Sequence, residues 1–417
     1  MTTVDLRTRF ESEATDIDPG EFVRALAPEL VESHGADAGR GATRLGLAPL
    51  TLDVDGEVFT FTASTRGLDV TSGPDEALVV AMDRQAFADL VGDAASTFGL
   101  NMLGRATISR GSIDDFVAWE PVLRSLIDGR PVYEPGSLSF VGRDGSPLDL
   151  HRSFRIDDDP DDIGHFLAQA GYLHIEGVFT EAEMDAVSAD LDDAVAAAAF
   201  DDGQSWWARL DSGDWYAARI LGFNQKSPSL RELLASERFR AISGLTDDEW
   251  VQRDPNIGDS AEGLLKKIGV VEGASDVSWH KDCSLGGHSR RCCGLTVGIS
   301  VTGAGRENGE LGAVAGSHRA NVALLGIDGL DLPRVPLPTR TGDITVHCSC
   351  TLHMSRPPVS AERRVVYTGF GLAARPGDHR PERSQDAIRR ERAALNDRVR
   401  AKQHSAPAGS RTASFDL

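Results

Sequence analysis

Val277-Ser278-Trp279-His280-Lys281-Asp282 decides how the rest of this 417-residue chain is read. On an extended strand the side chains of His280 and Asp282, two residues apart, project from the same face. A neutral imidazole and a carboxylate on one face are two of the three ligands of a 2-His-1-carboxylate facial triad. That triad holds non-heme Fe(II) and leaves coordination positions open. Chance produces many His-x-Asp triplets, so the reading depends on a second His and an anion-binding Arg further along.

Downstream of His280 the chain turns strand-rich. Residues 295–301 alternate strictly between apolar and small or polar side chains, as a half-buried antiparallel strand should. Residues 343–347 and 364–370 read as two more strands. Short strands with glycine-rich turns suit a β-barrel or jelly roll, whose mouth can hold a metal. Gly342-Asp343 opens one strand, Thr351-Leu352-His353-Met354-Ser355 follows it, and Arg364 comes eleven residues after His353. A third ligand, a second neutral imidazole, would complete the Fe(II) face. A buried guanidinium with a nearby hydroxyl can grip the distal carboxylate of 2-oxoglutarate by charge-assisted hydrogen bonds.

Taken with Glu307-Asn308-Gly309-Glu310-Leu311 and Gly316-Ser317-His318, these pieces resemble the phytanoyl-CoA dioxygenase family of Fe(II)/2-oxoglutarate oxygenases, in the family's order and over residues 151–375. The resemblance implies an α+β fold with a double-stranded β-helix (jelly-roll) core and flanking helices. It implies His280, Asp282 and His353 as iron ligands, and Arg364 and Ser355 on the 2-oxoglutarate C5 carboxylate. Lys267 is a further candidate for contact with the cosubstrate. The implied activity is O2-dependent hydroxylation of a small substrate, with succinate and CO2 as coproducts. Lys281 stands where the family often has Gln. Asp282, rather than Ala or Gly, keeps the carboxylate ligand and favours hydroxylation over halogenation.

The remaining histidines and cysteines have plainer readings. His347 suits packing, His318 a loop hydrogen bond, His288 an exposed or lid position, and His174 a satisfied core or surface site. Cys283, Cys292, Cys293, Cys348 and Cys350 lack the usual C-x2-C spacing of zinc sites and read as small buried hydrophobes. Trp206, Trp207, Trp215 and Tyr216 read as packing, with an aromatic wall over a substrate pocket as the alternative.

Ahead of this region, residues 1–20 read as a polar leader and 21–130 as a small α+β unit. Phe22, Val23, Leu26 and Leu30 recur at helical spacing, and two strands flank the turn residues Asp55-Gly56. A strand at 77–82, a helix from Arg84 to Val91 and a closing helix over 113–127 complete it. With Leu103-Gly104-Arg105-Ala106-Thr107-Ile108, this order resembles a sterol carrier protein-like domain, which tilts the expected substrate toward something apolar or acyl-linked. Residues 131–150 are a Pro- and Gly-containing linker. The acidic run 157–162 is a solvated helix start, and Thr180 with Glu183 marks a capping box. Residues 376–417 form a polar helical or disordered tail.

A net charge of -21 argues against general nucleic-acid binding. No apolar run is long enough for a membrane span. The N-terminus lacks signal-peptide features, so the expected compartment is the cytoplasm, with reduced thiols and a small-molecule substrate as partner. Two other functions share these features. One is a non-enzymatic carrier of an apolar ligand; the other is a zinc-dependent hydrolase or isomerase using the same ligands.

Overall fold

The computed structural model describes residues 16–372, apart from 65, 76, 201, 246–249, 253, 274, 276–277, 286–293 and 325–328, together with 390, 394 and 397. Val277, His288, Cys292, Cys293 and most of the expected leader and tail lie outside the described residues.

Asp18 caps the first helix, α1 (Pro19–Glu21), by accepting from the Glu21 N–H at 2.8 Å. A π-turn over Phe22–Leu26 carries the chain into α2 (Ala27–Arg44). Five strands follow: β1 (Leu50–Val54), β2 (Glu57–Ser64), β3 (Gly67–Ser72), β4 (Leu78–Met82) and β5 (Ala106–Arg110). They form one sheet in the order β3-β2-β1-β4-β5, with β1 and β4 parallel. Asp55 and Gly56 turn the first hairpin at φ of 50° and 92°, the left-handed pair that a two-residue loop requires.

Helices α3 (Arg84–Val91), α4 (Thr97–Met102), α5 (Ile113–Ala118) and α6 (Glu120–Asp128) complete this unit. The single helix expected over 113–127 is therefore two. Pro121 has no N–H to bond back to Val117, so the chain breaks at Trp119 and restarts. Phe22, Phe59, Phe61, Phe87, Phe116 and Trp119 share the unit's own apolar core.

The second unit begins with β6 (Phe154–Arg155) and α7 (Pro160–Ala170). The acidic run is its N-terminus, as expected: Asp159 is the cap, and Arg143 pairs with Asp159, Asp161 and Asp162 in solvent. Then come β7 (Tyr172–Glu176) and α8 (Glu181–Ala197), which the Thr180–Glu183 capping box opens. The remaining strands are β8 (Ser205–Leu210), β9 (Trp215–Ile220), β10 (Trp250–Gln252), β11 (Glu262–Lys266), β12 (Val270–Gly273), β13 (Gly294–Ser300), β14 (Leu311–Val314), β15 (Arg334–Leu337), β16 (Ile344–Cys348), β17 (His353–Ser355) and β18 (Arg363–Leu372).

One large sheet runs β12-β8-β9-β11-β18-β13-β16-β7-β6, with β10 also paired to β18; a small sheet runs β15-β14-β17. The fold is α+β with a jelly-roll core, and neither sheet closes on itself. A cavity of about 440 Å³ lies between the sheets, reached by Lys266, Thr296, His347 and Tyr367 from the large one and by Leu311, His353 and Ser355 from the small one. Gly342 (φ 84°) passes so close to Phe179 that an added Cβ would stand 2.0 Å from its carbonyl oxygen. Asp343 fastens the turn by accepting from the Gly177 N–H (2.8 Å), the Arg340 N–H (2.7 Å) and His174 Nε2 (2.9 Å). His174 is thus a satisfied histidine. Among the described residues no helix is long and apolar enough to cross a membrane.

Candidate metal centre

His280 and His353 face each other in a two-residue antiparallel bridge, His280 N donating to His353 O at 2.9 Å and His353 N to His280 O at 3.0 Å. Asp282 is not on an extended strand, as the sequence reading supposed; it starts a 3-10 turn, Asp282–Leu285. The turn still brings its carboxylate to the imidazoles. Asp282 Oδ1 lies 3.6 Å from His280 Nε2 and 3.5 Å from His353 Nε2, and the three ligand atoms fall within 4.8 Å of one another. Ligand atoms about 2.1 Å from a metal and roughly at right or tetrahedral angles stand about 3 to 3.5 Å apart, so the set fits an ion.

The hydrogen bonds behind the cluster select the tautomers. His280 Nδ1 is 2.8 Å from the Ser278 carbonyl and His353 Nδ1 is 2.9 Å from the Thr351 carbonyl. A nitrogen facing a carbonyl must donate, so in each neutral ring Nε2 carries the lone pair. Two lone pairs and a carboxylate oxygen then converge, an arrangement that repels itself unless a cation sits between them. Burial first, and then the neighbouring His353, push His280 below the ordinary histidine value. Burial pushes Asp282 up, but without a metal a proton on His353 takes the cation's place, and its charge, with hydrogen bonds from the imidazoles, holds the carboxyl well below its usual range. A neutral His280 and an ionised Asp282 are the states metal ligation needs.

The second Asp282 oxygen is also held. Oδ2 accepts from Thr296 Oγ1 at 2.5 Å and from His347 Nε2 at 3.2 Å. Thr296 and His347 are directly paired across β13 and β16. His347 is therefore more than the packing residue the sequence suggested: it leaves Oδ1 as the free oxygen and favours one-oxygen ligation. Its own Nδ1 is buried without a partner among the described residues.

A positive end faces this cluster across the cavity, built one residue away from the expected one. Lys266 and Arg363 are cross-strand partners on β11 and β18, 1% and 2% exposed. Lys266 Nζ donates to Ser355 Oγ (2.8 Å), and Arg363 Nη1 donates to the same hydroxyl (3.1 Å). Ser355 lines the cavity two residues after His353. The expected Arg364 points the other way, onto α8, where it donates to Ser188 Oγ (2.8 Å) and pairs with Asp192 (2.8 Å). Lys267 likewise lies beyond the end of β11, its Nζ 5.2 Å from the Tyr216 ring centre. Strand side chains alternate, so a slip of one residue moves a side chain to the opposite face. Arg364 and Lys267 therefore lie away from the cavity, which Lys266 lines, and Arg363 reaches Ser355.

Residues 167–366 match the family model described as phytanoyl-CoA dioxygenase (PhyH). This stretch is a phytanoyl-CoA dioxygenase family domain. Fe(II), 2-oxoglutarate and O2 are the cofactors of that family, and the domain is of the non-heme, 2-oxoglutarate-dependent type. No curated protein matches the chain. Among solved structures it is similar to AviO1 from Streptomyces viridochromogenes Tue57, at 21% identity over 53% of this chain and 98% of that one, TM-score 0.41. It is also similar to HygX from Streptomyces hygroscopicus, whose structure holds nickel, 2-oxoglutarate and hygromycin B, at 18% identity over 50% and 86%, TM-score 0.38. A third is SnoN, an α-ketoglutarate-dependent epimerase from nogalamycin biosynthesis, at 18% over 51% and 83%, TM-score 0.38. The sterol carrier resemblance of residues 21–130 finds no support in these comparisons.

Around the rest of the PhyH domain's cavity, Asp259, Glu262, Arg219 and Tyr367 supply polar groups and Leu264 and Phe370 apolar ones. Arg219 donates to Glu262 at 2.7 Å and stacks over Trp206 at 4.9 Å. Trp206, Trp207, Trp215 and Tyr216 do not line the cavity, which agrees with their packing reading. His318 bonds the Ala168 carbonyl at 3.0 Å, the loop-organising role expected of it. Cys283, Cys348 and Cys350 are buried, as expected of small hydrophobes.

Proposed function

We propose that the protein is an Fe(II)- and 2-oxoglutarate-dependent hydroxylase of a small metabolite. The observation that carries this reading is the convergence of His280 Nε2, His353 Nε2 and Asp282 Oδ1, with both Nδ1 atoms committed to carbonyls. His280, Asp282 and His353 would hold Fe(II). When bound, the metal with 2-oxoglutarate and O2 supplies the oxidising equivalent for hydroxylation, with succinate and CO2 as coproducts.

The chain's own residues then have separate tasks. Lys266 and Ser355, with Arg363 behind them, bind and orient the distal carboxylate of the cosubstrate. Thr296 and His347 hold Asp282 in the one-oxygen mode. A buried carboxylate clamp has no use in a zinc hydrolase or isomerase, so it supports the oxygenase reading. The apolar substrate expected from the N-terminal resemblance loses that support. The wall of Arg219, Asp259 and Glu262 suits a substrate with hydrogen-bonding groups. The division we propose puts this domain at 151–375 behind a separate unit at 21–130.

Metal-free protein titrated anaerobically with Fe(II) and then 2-oxoglutarate should develop the weak visible charge-transfer band of the chelate, and His353→Ala should lose it. Admitting air should release succinate. A folded wild-type protein that shows neither band nor succinate would overturn the reading.

A further inference from the structure

The metal-bearing bridge has two faces, and only one looks into the cavity. Side chains alternate along an extended segment, so the neighbours of His280 and His353 point backwards. Three of these neighbours, Trp279, Leu352 and Met354, are buried in a single apolar cluster. That cluster is completed from the other unit of the chain: Val117 of α5 is one of its fully buried members, and Phe98 of α4 and Ile113 of α5 pack against it. Val117 belongs to this shared cluster and not to the core of its own unit, whereas its neighbours Phe116 and Trp119 belong to that core.

A polar tie meets the same segment from the side. Helix α4 lies against the 3-10 turn that begins at Asp282. Ser96, the N-cap of α4, donates its hydroxyl proton to the Ser284 carbonyl while its oxygen accepts from the Gly99 N–H at 2.9 Å. Further along, Asn321 Nδ2 donates to the Pro121 carbonyl at 2.7 Å and the Arg130 carbonyl at 3.0 Å. A two-residue bridge followed by one tight turn has little stability of its own, because short pairings hold only when a packed face supports them.

We propose that the α4–α5 face of the N-terminal unit is a positioning element for the metal centre, fixing residues 278–285 and through them the Asp282 carboxylate. Ser96 and Val117 are its positioning residues. The inference rests on the metal-site reading above. It gives the N-terminal unit a task that its core supports, since that core is filled by interlocking Phe22, Phe59 and Phe87 rings.

The test uses the full chain. Ser96→Asp keeps an oxygen to cap α4 but has no proton for the Ser284 carbonyl. Val117→Ala removes two methyl groups from the shared cluster alone. Leu47→Ala, at the edge of the N-terminal core and outside the shared cluster, is the control for general loss of stability. Two quantities are read: amide hydrogen exchange of residues 278–285 in metal-free protein, and Co(II) affinity from its visible absorption. Both Ser96→Asp and Val117→Ala should speed exchange in 278–285 and weaken Co(II) binding by about tenfold or more, the range seen when supports behind metal ligands are lost. Leu47→Ala should do neither, even where its thermal midpoint falls as far. Wild-type exchange in both variants, or an equal effect of Leu47→Ala, would overturn the proposal. If wild type binds no Co(II), the metal-site reading fails, and the exchange measurement still decides whether the N-terminal unit supports the segment.

Discussion

The proposed cosubstrate site turns on the register of two strands, and Lys266→Met, Arg363→Met, Lys267→Met and Arg364→Met test it directly. Lys266 Nζ sits 2.8 Å from Ser355 Oγ and 2.7 Å from the Arg356 carbonyl, at the positive end of the cavity and out of water. A hydrogen bond to a charged group is worth about 1.5–3 kcal/mol. At about 1.4 kcal/mol per tenfold, Lys266→Met should raise the Kd for 2-oxoglutarate by about 10- to 150-fold. Arg363→Met should fall at the lower end of that range, because the guanidinium acts from behind Ser355. Lys267→Met and Arg364→Met touch only the Tyr216 ring and the Ser188–Asp192 surface, and should stay within about twofold of wild type. The assay is anaerobic titration of the Fe(II) protein with 2-oxoglutarate, followed by the chelate absorption, with thermal midpoints as a check on folding. A large loss in Arg364→Met or Lys267→Met with none in Lys266→Met would refute the reasoning.

Three further outcomes follow from the same geometry. Thr296→Val and His347→Phe each remove one hydrogen bond from Asp282 Oδ2, and each should weaken Fe(II) or Co(II) binding by about 10- to 100-fold in equilibrium dialysis. Unchanged affinity would mean that the second oxygen needs no support. Asp343→Ala should destabilise the protein by about 1.5–3 kcal/mol in urea unfolding at pH 7, since it removes the buried carboxylate that accepts from the Gly177 and Arg340 N–H groups and from His174. Acid should erode the Asp343 contribution in wild type. Burial raises this carboxyl, but the bonds from His174, Arg340 and Gly177 outweigh burial and hold it below the ordinary 3.8. A depressed folded pKa gives stability that is complete above the unfolded value and is lost as pH falls through the folded one. The gap between wild type and Asp343→Asn should therefore narrow below pH about 4, and a gap that holds constant down to pH 2 would contradict it.

Much of the site was legible because its residues are local and chemically distinct. The His-x-Asp triplet occurs once in the chain, whereas His353-x-Ser355 shares its spacing with His347-x-Ser349 and was singled out through the family resemblance. The capping box at Thr180 and the Asp55-Gly56 turn were legible for the same reason: their hydrogen bonds close within four residues. The cation end was not. Lys266-Lys267 and Arg363-Arg364 are doublets followed by Ile268 and Val365-Val366, so either member of each pair could face inward by pattern alone. The choice is made by long-range pairing, Lys266 opposite Arg363 and Leu264 opposite Val365. The role of His347 was hidden in the same way, because its partner Thr296 comes from a strand 51 residues earlier in the register Thr296↔His347. The support of the metal segment by α4 and α5 was furthest from view. Ser96 and Ser284 lie 188 residues apart, and no periodicity along one helix says which other unit its outward face will meet. That separation has a consequence for the whole chain. The ligands of the centre all lie within the family domain, but the back of the bridge that carries them is closed by residues outside it, so metal affinity and the packing of the N-terminal unit should rise and fall together.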